Sequence, residues 1–305
     1  MKKKIYLEGS SIKVLYPDIE FFLDKIRKNE PFKYLKVMHG TLDGITAVYK
    51  DKMDELNTLV ANQDYVTIAK TISENRDARL QSGSDYWHGK DPQFDEKLVI
   101  LWTMINQYKN LSSDIMIGLS LGVGLGNYWG CYEHSHPTQV SRRKIAGILD
   151  SNTYDSYLYG GIFKHFTIKN EIQYLFDVLN QLSYNVGFFG PTYFSRYKEV
   201  FGIKDFTHME IPVLGAIKNL DKEVDRIREF GRNSKTPTIV FLQCGHTMAS
   251  NLIYNLKDEN ITIIDVGRSF DLLLKDEVDK HETMWRCWTS LDPNGLVDYV
   301  DKTRA

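Results

Sequence analysis

The chain has 305 residues, of which 42% are hydrophobic and 26% are charged, and its formal net charge is −2. This length and composition predict an ordinary globular protein with a full apolar core, as one large or two modest domains. The near-neutral charge excludes a bulk electrostatic attraction to nucleic acid or membrane, although local basic clusters remain.

The cysteines and the N-terminus indicate the compartment. Three cysteines, Cys131, Cys244 and Cys287, lie far apart, and such an odd, sparse count is typical of free thiols in a reducing cytoplasm. The basic start, MKKKIYLEGSS, is not followed by the apolar core of a signal peptide. No apolar run approaches the ~20 residues that span a bilayer. The sequence therefore predicts a soluble cytoplasmic protein without a membrane partner.

The N-terminal part of the chain contains a strand–turn–helix unit with an acidic residue at its turn. A short strand at 2–7 and a helix that opens at Pro17 precede this unit. The unit consists of a strand at 34–38, a turn of sequence HGTLDG at 39–44 and a helix that continues to about residue 61. A helical insertion is predicted next, at about 63–112.

Strands alternate with helices from about residue 113 onward. The predicted strands lie at 114–121, 154–159, 185–189, 207–211, 238–242 and 261–266, and the predicted helices at 169–182, 191–200, 220–230 and 248–256. This alternation is typical of an α/β protein with a doubly wound, mostly parallel, Rossmann-like sheet. No repeat or linker divides the chain, so we predict a single domain over 1–305 with a tail at about 280–305.

One edge of this sheet is the expected ligand site, because ligands of open parallel sheets bind beyond the carboxyl ends of the strands. His246, at a helix start, fits a phosphate ligand or a general base, or else a buried structural histidine. Asp265, at a strand end, fits a ribose or metal ligand, or a turn cap. Asp43 can bind a metal or a sugar hydroxyl, or it can be the N-cap of the helix that follows, and the sequence favours neither role over the other.

Other motifs carry weaker functional signals. Gly122-x-Gly124-x-Gly126 is a flexible turn or a phosphate cradle, but it is not the dinucleotide fingerprint. The cluster Cys131, Glu133, His134 and His136 lacks the second ligand group that structural zinc sites need. Arg142, Arg143 and Lys144 fit phosphate contacts or a solvated helix face, and Cys244 fits a buried, inert thiol.

Four segments, in this order, resemble the GT-D-type glycosyltransferases, bacterial enzymes with a Rossmann-like sheet that transfer sugar from a nucleotide-diphosphate donor. They are VMHGTLDGITAV at 37–48, YNVGFFGPTYFSRYKEVF at 184–201, MEIPVLGAIKNLDKEVD at 209–225 and IVFLQCGHTMASNLIYNLKDENITIIDVG at 239–267. The chain departs from the family at Ile45, where the Asp-Gly-Glu motif has its second acid. The family's arginine near the middle strand is also absent around 159–161, and Lys164 or His165 is the candidate replacement.

The resemblance implies a hexosyl- or pentosyltransferase that uses a nucleotide-diphosphate sugar, in particular a UDP-sugar. It implies Asp43 and His246 as catalytic residues, with Asp43 also the ligand of a divalent cation, Mn²⁺ or Mg²⁺, and no organic cofactor. The implied donor-binding residues are His39, Gly44, Gly190, Gly245, Thr247, Asp265 and Arg268. Trp285 and Trp288 are expected to stack on a sugar or base.

The acceptor is expected to be a glycan or glycoprotein. If a phage encodes the protein, so that it acts in the host cytoplasm, the acceptor is expected to be a hydroxymethylated DNA base. The near-neutral charge argues against DNA, because duplex binding normally requires a basic face. A non-catalytic nucleotide- or sugar-binding module is the alternative, supported by Ile45. A nicotinamide oxidoreductase is disfavoured by the absence of GxGxxG. No oligomeric state is predicted.

Overall fold

The computed structural model describes residues 3–6, 13–37, 115–119, 157–212, 216–267, 269–270 and 273. These residues form nine strands: β1 (Lys3–Tyr6), β2 (Lys13–Tyr16), β3 (Lys33–Val37), β4 (Ile115–Leu119), β5 (Tyr157–Tyr159), β6 (Asn185–Gly190), β7 (Phe206–Glu210), β8 (Thr238–Leu242) and β9 (Thr262–Asp265). They also form six α-helices: α1 (Glu20–Arg27), α2 (Ile162–Ile168), α3 (Ile172–Gln181), α4 (Tyr197–Phe201), α5 (Leu220–Arg232) and α6 (His246–Asn255). Two 3-10 helices cover Thr192–Arg196 and Ala216–Asn219.

The nine strands form one sheet in the order β1-β2-β5-β4-β3-β9-β8-β6-β7. Every neighbouring pair is parallel except β1 and β2, which pair antiparallel at one edge. The predicted mostly parallel sheet is therefore confirmed. The predicted insertion at 63–112 and the tail at 280–305 lie outside the described residues, and the single domain over 1–305 stays a prediction.

Helices cover both faces of the sheet, as a doubly wound fold requires. Successive residues of a strand point to opposite faces. At Gly187 in β6, an added Cβ would lie 2.8 Å from the ring of Phe230 in α5. The next residue, Phe188, faces the other side, where its ring lies 5.9 Å from that of Phe176 in α3. Helix α6 packs against α5, and α1 packs against α3.

Aromatic rings form most of the core on the α3 face. Phe188 is fully buried among six other rings, which are Phe176, Phe194, Tyr197, Phe206, Phe241 and Phe270. A second group surrounds Phe22 of α1 and consists of Phe21, Phe32, Tyr34, Phe163 and Phe166. Each fully buried ring contributes about 1.5–3 kcal/mol of burial free energy. These rings fix α1 to α4 against the sheet.

Tyr34 of β3 bridges to β5 across the intervening strand β4. Its hydroxyl donates a 2.9 Å hydrogen bond to the carbonyl oxygen of Tyr159. The bridge crosses β4 at Gly118, where an added Cβ would contact the Tyr34 hydroxyl and lie 2.9 Å from the Gly160 Cα. Burial raises the pKa of Tyr34 well above 10, so its hydroxyl remains a neutral donor.

Candidate functional site

The carboxyl ends of the parallel strands lie along one edge of the sheet, as the sequence predicts. Strand β8 ends at Leu242 and β9 ends at Asp265, so the turns that follow them, at 243–245 and 266–267, lie on this edge. Strand β6 ends on the same edge at Gly190. The predicted residues Gly190, Gly245 and Asp265 are therefore brought to one edge of the sheet.

The ends of β6 and β8 form a switch point in the topology of the sheet, because β6 connects to β7 on one side and β8 connects to β9 on the other. After β6 the chain passes to the α3 face, because Phe194 and Tyr197 pack on Phe188, with ring centroids 4.8 and 5.9 Å away. After β8 the chain enters α6, which packs against α5 on the opposite face. Neighbouring strands whose continuations leave to opposite faces form the crevice in which α/β sheets bind ligands. Gly190 and the turn at 243–245 flank this switch point.

The turn between β8 and α6 depends on Gly245. This glycine is the N-cap of α6, with φ 80° and ψ 155°, a conformation that is essentially restricted to glycine. Nothing lies within 4 Å of the position that its Cβ would occupy, so backbone conformation, not space, requires the glycine. His246 and Thr247 form the first turn of α6. The backbone N–H groups of a first helical turn bind anions such as phosphate.

Gly190 and Gln243 lie where the end of β6 contacts the turn between β8 and α6. An added Cβ at Gly190 would lie 3.1 Å from the carbonyl oxygen of Gln243, so the glycine allows β6 and the β8–α6 turn to approach closely. The backbone N–H of Gln243 donates to the carbonyl oxygen of Phe189 at 2.8 Å. Its buried side-chain amide donates to the Tyr193 hydroxyl at 2.5 Å. No local sequence pattern identifies Gln243 or Tyr193, since only the strand pairing brings them together.

Asp265 uses its carboxylate to hold the edge of the sheet together. One oxygen accepts a hydrogen bond from the backbone N–H of Lys36 at 3.3 Å, and the other accepts from the N–H of Gly267 at 3.0 Å. Burial raises the pKa of Asp265 from 3.8 to about 6, although the Lys36 charge and both N–H groups act to lower it. The carboxylate thus lies where the sequence places it, with each oxygen engaged by a backbone group.

Lys36 is a buried cation of this edge that the sequence analysis missed. It is 7% exposed, and its ammonium group donates to the carbonyl oxygen of Val266 at 3.3 Å. At Gly267, which has φ 49°, an added Cβ would lie 2.8 Å from the Lys36 Nζ. A lysine within the strand sequence KYLKV, otherwise suited to a buried parallel strand, is the signal that identifies it.

His165 lies near the carboxyl ends of β2 and β5. It is fully buried, and its Nδ1 is 2.5 Å from the Tyr16 hydroxyl. Its Nε2 has no hydrogen-bond partner among the described residues. Burial, followed by the charges of Lys169 and Lys164, lowers the pKa of His165 from 6.5 to about 3. The imidazole is therefore neutral at neutral pH, so it does not supply the positive charge of the arginine it was considered to replace.

Several predicted site residues lie outside the described residues. They are His39, Asp43, Gly44, Arg268, Trp285 and Trp288, together with the motifs at 122–126, 131–136 and 142–144. Within the described ranges, no three His, Cys, Asp or Glu side chains cluster as metal ligands. The metal at Asp43 stays a prediction.

Two further expectations concern Cys244 and the membrane. Cys244 is half-buried, although a buried thiol was predicted. Desolvation nevertheless raises the pKa of its thiol well above the usual value, as expected for an inert thiol. In the part of the chain that the structure describes, no helix has the length and apolar character to span a membrane. The cytoplasmic location stays a prediction.

Comparisons with known proteins give a similarity in fold. No family model matches the sequence, and no curated protein matches it. A solved structure described as "A New Glycosyltransferase (DUF1792) from Streptococcus sanguinis" is similar with a TM-score of 0.51 at 17% identity, covering 86% of this chain and 85% of that one.

Another solved structure, described as a domain of unknown function 1792 with "a distinct glycosyltransferase fold", has a TM-score of 0.44 at 14% identity, over 86% of this chain and 79% of that one. The fold implied by the resemblance to GT-D-type enzymes is confirmed. The chain therefore has a Rossmann-like glycosyltransferase fold, which it shares with the DUF1792 protein of Streptococcus sanguinis.

Proposed function

We propose that the protein is a glycosyltransferase that transfers a sugar from a UDP-sugar to a hydroxyl acceptor. The observation that carries the proposal is the topological switch point between β6 and β8, with the glycine-capped start of α6 beside it. Such a helix start suits the diphosphate of a nucleotide-sugar. The fold shared with a glycosyltransferase supports the same assignment.

The proposed chemistry is a substitution at the anomeric carbon of the donor sugar. The acceptor oxygen forms a new bond to this carbon as the bond to the diphosphate oxygen breaks, and the acceptor proton passes to a base. Backbone N–H groups at the start of α6 stabilise the negative charge that develops on the leaving diphosphate. His246 is the proposed base, and Gly190, Gly245, Thr247 and Asp265 are the proposed residues of the donor pocket and its frame.

Asp43 is proposed to contact the donor sugar and a divalent cation, with His39, Gly44 and Arg268 nearby. Each oxygen of the Asp265 carboxylate is engaged by a backbone N–H group, and Asp265 joins no cluster of metal ligands among the described residues. The acceptor is proposed to be a glycan or glycoprotein hydroxyl, with Trp285 and Trp288 stacking on a sugar ring.

A panel of UDP-sugars tests this proposal. We expect the full chain to release UDP from at least one donor when a glycan acceptor is present, and we expect Asp43→Ala to lose most of this release while it keeps the wild-type fold. Retained UDP binding without turnover of any donor would instead establish the non-catalytic binding module that Ile45 favours. Transfer to hydroxymethylated DNA in place of a glycan would reassign the acceptor, and NAD(P) binding would indicate an oxidoreductase.

Gly245→Ala is expected to weaken UDP binding by about tenfold or more, since a side chain disfavours φ 80° and shifts the N–H groups of the first helical turn. Gly202→Ala is the matched control, because Gly202 also has a positive φ, 59°, and also has nothing within 4 Å of its Cβ position. Gly202 follows α4 and precedes β7, away from the carboxyl edge.

Both alanine variants are expected to lose about 1–3 kcal/mol of stability through backbone strain. Calorimetric titration with UDP measures the loss of binding, and denaturant unfolding measures the loss of stability, so the two effects are separated. Equal UDP affinity in the Gly245 and Gly202 variants would contradict a role for the α6 start in binding.

A further inference from the structure

Strand β3 contains two buried lysines at opposite ends. Lys33, at the start of the strand, is 3% exposed and donates to the carbonyl oxygen of Glu259 at 2.6 Å. Glu259 precedes β9, so this lysine lies at the amino edge of the sheet. Lys36 is 7% exposed and donates to Val266, which follows β9, so it lies at the carboxyl edge. The two side chains thus have similar burial, but only Lys36 lies at the carboxyl edge.

The carboxyl edge is shaped around the Lys36 ammonium group. Gly267 has a left-handed φ of 49°, and a side chain there would begin 2.8 Å from the Lys36 Nζ. The Asp265 carboxylate fixes both sides of this arrangement, because it accepts the backbone N–H groups of Lys36 and of Gly267. Backbone, turn and carboxylate therefore hold one positive charge in a defined place.

Stability alone does not account for this cation. Removing an ammonium from water has a desolvation penalty, and apolar replacements of buried ion pairs are often neutral or stabilising. Ile264 pairs with Tyr34, two residues before Lys36, and so lies on the same face of the sheet as Lys36, where it is apolar and fully buried. An apolar side chain therefore suits this face. A fixed charge in a water-poor site, however, stabilises a bound anion more strongly than the same charge in water.

We propose that Lys36 is a donor-binding residue whose fixed positive charge binds the diphosphate of the nucleotide-sugar. Only β9 separates β3 from β8, and neighbouring strands lie about 4.8 Å apart, so the carboxyl ends of β3 and β8 are on the order of 10 Å apart. A donor that extends along the carboxyl edge from the α6 turn toward β3 reaches both groups. The proposal rests on the glycosyltransferase function, and it assigns part of the leaving-group stabilisation to a side chain.

The test compares Lys36→Met with Lys33→Met in the full chain, by calorimetric titration with UDP, inorganic pyrophosphate and uridine. We expect Lys36→Met to weaken UDP and pyrophosphate binding by about 10- to 100-fold, as for the loss of a hydrogen bond to a charged group. Uridine affinity is expected to stay within about twofold, because uridine carries no phosphate. Lys36→Arg is expected to recover part of the loss, and Lys33→Met to bind UDP like the wild type.

Unchanged UDP affinity in Lys36→Met, or an equal loss in Lys33→Met, would overturn the assignment of Lys36. Binding of another nucleoside diphosphate in place of UDP, with the same loss in Lys36→Met, would correct the donor and uphold Lys36. Failure of the wild type to bind any nucleoside diphosphate or pyrophosphate would overturn the proposed function and the role of Lys36 together. If Lys36→Met does not fold, Gly267→Ala displaces the ammonium without removing its charge, and full UDP affinity in that variant refutes the proposal.

Discussion

Acidification from pH 6.5 toward pH 3 is expected to destabilise the protein by up to about 5 kcal/mol through His165 alone. Its pKa is about 3 in the folded protein, against 6.5 for the unfolded chain. Between these values the unfolded state binds the extra proton, so the free energy of unfolding falls as the pH falls. The contribution is fully present above pH 6.5, where the imidazole is neutral in both states.

His165→Asn tests this prediction, because asparagine keeps a polar group near the position of Nδ1 for the Tyr16 hydroxyl but does not titrate. Denaturant unfolding between pH 7 and pH 4 is expected to show a smaller loss of stability in this variant than in the wild type. Tyr16→Phe is the control, since it removes the partner of Nδ1 and leaves the buried, titrating ring. A wild-type slope in His165→Asn would show that another group dominates the acid response.

Asp265 is expected to have the opposite effect, of about 3 kcal/mol, over the range from pH 4 to pH 6. Its pKa is about 6 in the folded protein and 3.8 in the reference state, chiefly because the carboxyl group is buried. Here the folded state binds the extra proton. The stabilisation from Asp265 is therefore fully present below pH 3.8 and is lost as the pH rises through 6.

Asp265→Asn is expected to remove this pH dependence, measured as the change in the free energy of unfolding between pH 4 and pH 7. The absolute stability of the variant also changes, since an amide replaces one of the two oxygens that accept from Lys36 and Gly267, so the slope is the diagnostic quantity. Lys36→Met removes a charge that lowers the Asp265 pKa and is expected to move the transition to higher pH. No movement in that variant would contradict the coupling between the two side chains.

Much of the fold follows from local sequence patterns. Strands β6, β8 and β9 are continuous apolar runs, and the helices between them have an apolar face, so their order alone indicates a parallel sheet. The pattern at 169–182 predicts α3, whereas α2, which lies before it, was not predicted. Asn170 adopts a φ of 58° between them and so separates the two helices. Strand β2 (Lys13–Tyr16) was not predicted from the sequence.

The site was predicted only as far as chain order allows. Gly245 and Asp265 were placed on one edge because the carboxyl ends of parallel strands coincide, whereas Gly190 was predicted from the family resemblance. The switch point between β6 and β8 was not predicted, because the pairing of strands separated by about fifty residues cannot be read from local sequence. The hydrogen bond from the Lys36 N–H to the Asp265 carboxylate and the burial of Lys36 were also not predicted, because they depend on the pairing of β3 with β9 in the folded sheet.

The position of β9 in the sheet has a consequence for the order of folding. Strands β1 to β5 form one side of the sheet and β6 to β8 the other, and β9 lies between β3 and β8. Until residues 262–265 leave the ribosome, the two halves lack their shared strand, and each has an unpaired edge open to wrong partners. Such late, long-range closure is slow. A chain that ends before β9 should therefore form two separate sheets that aggregate.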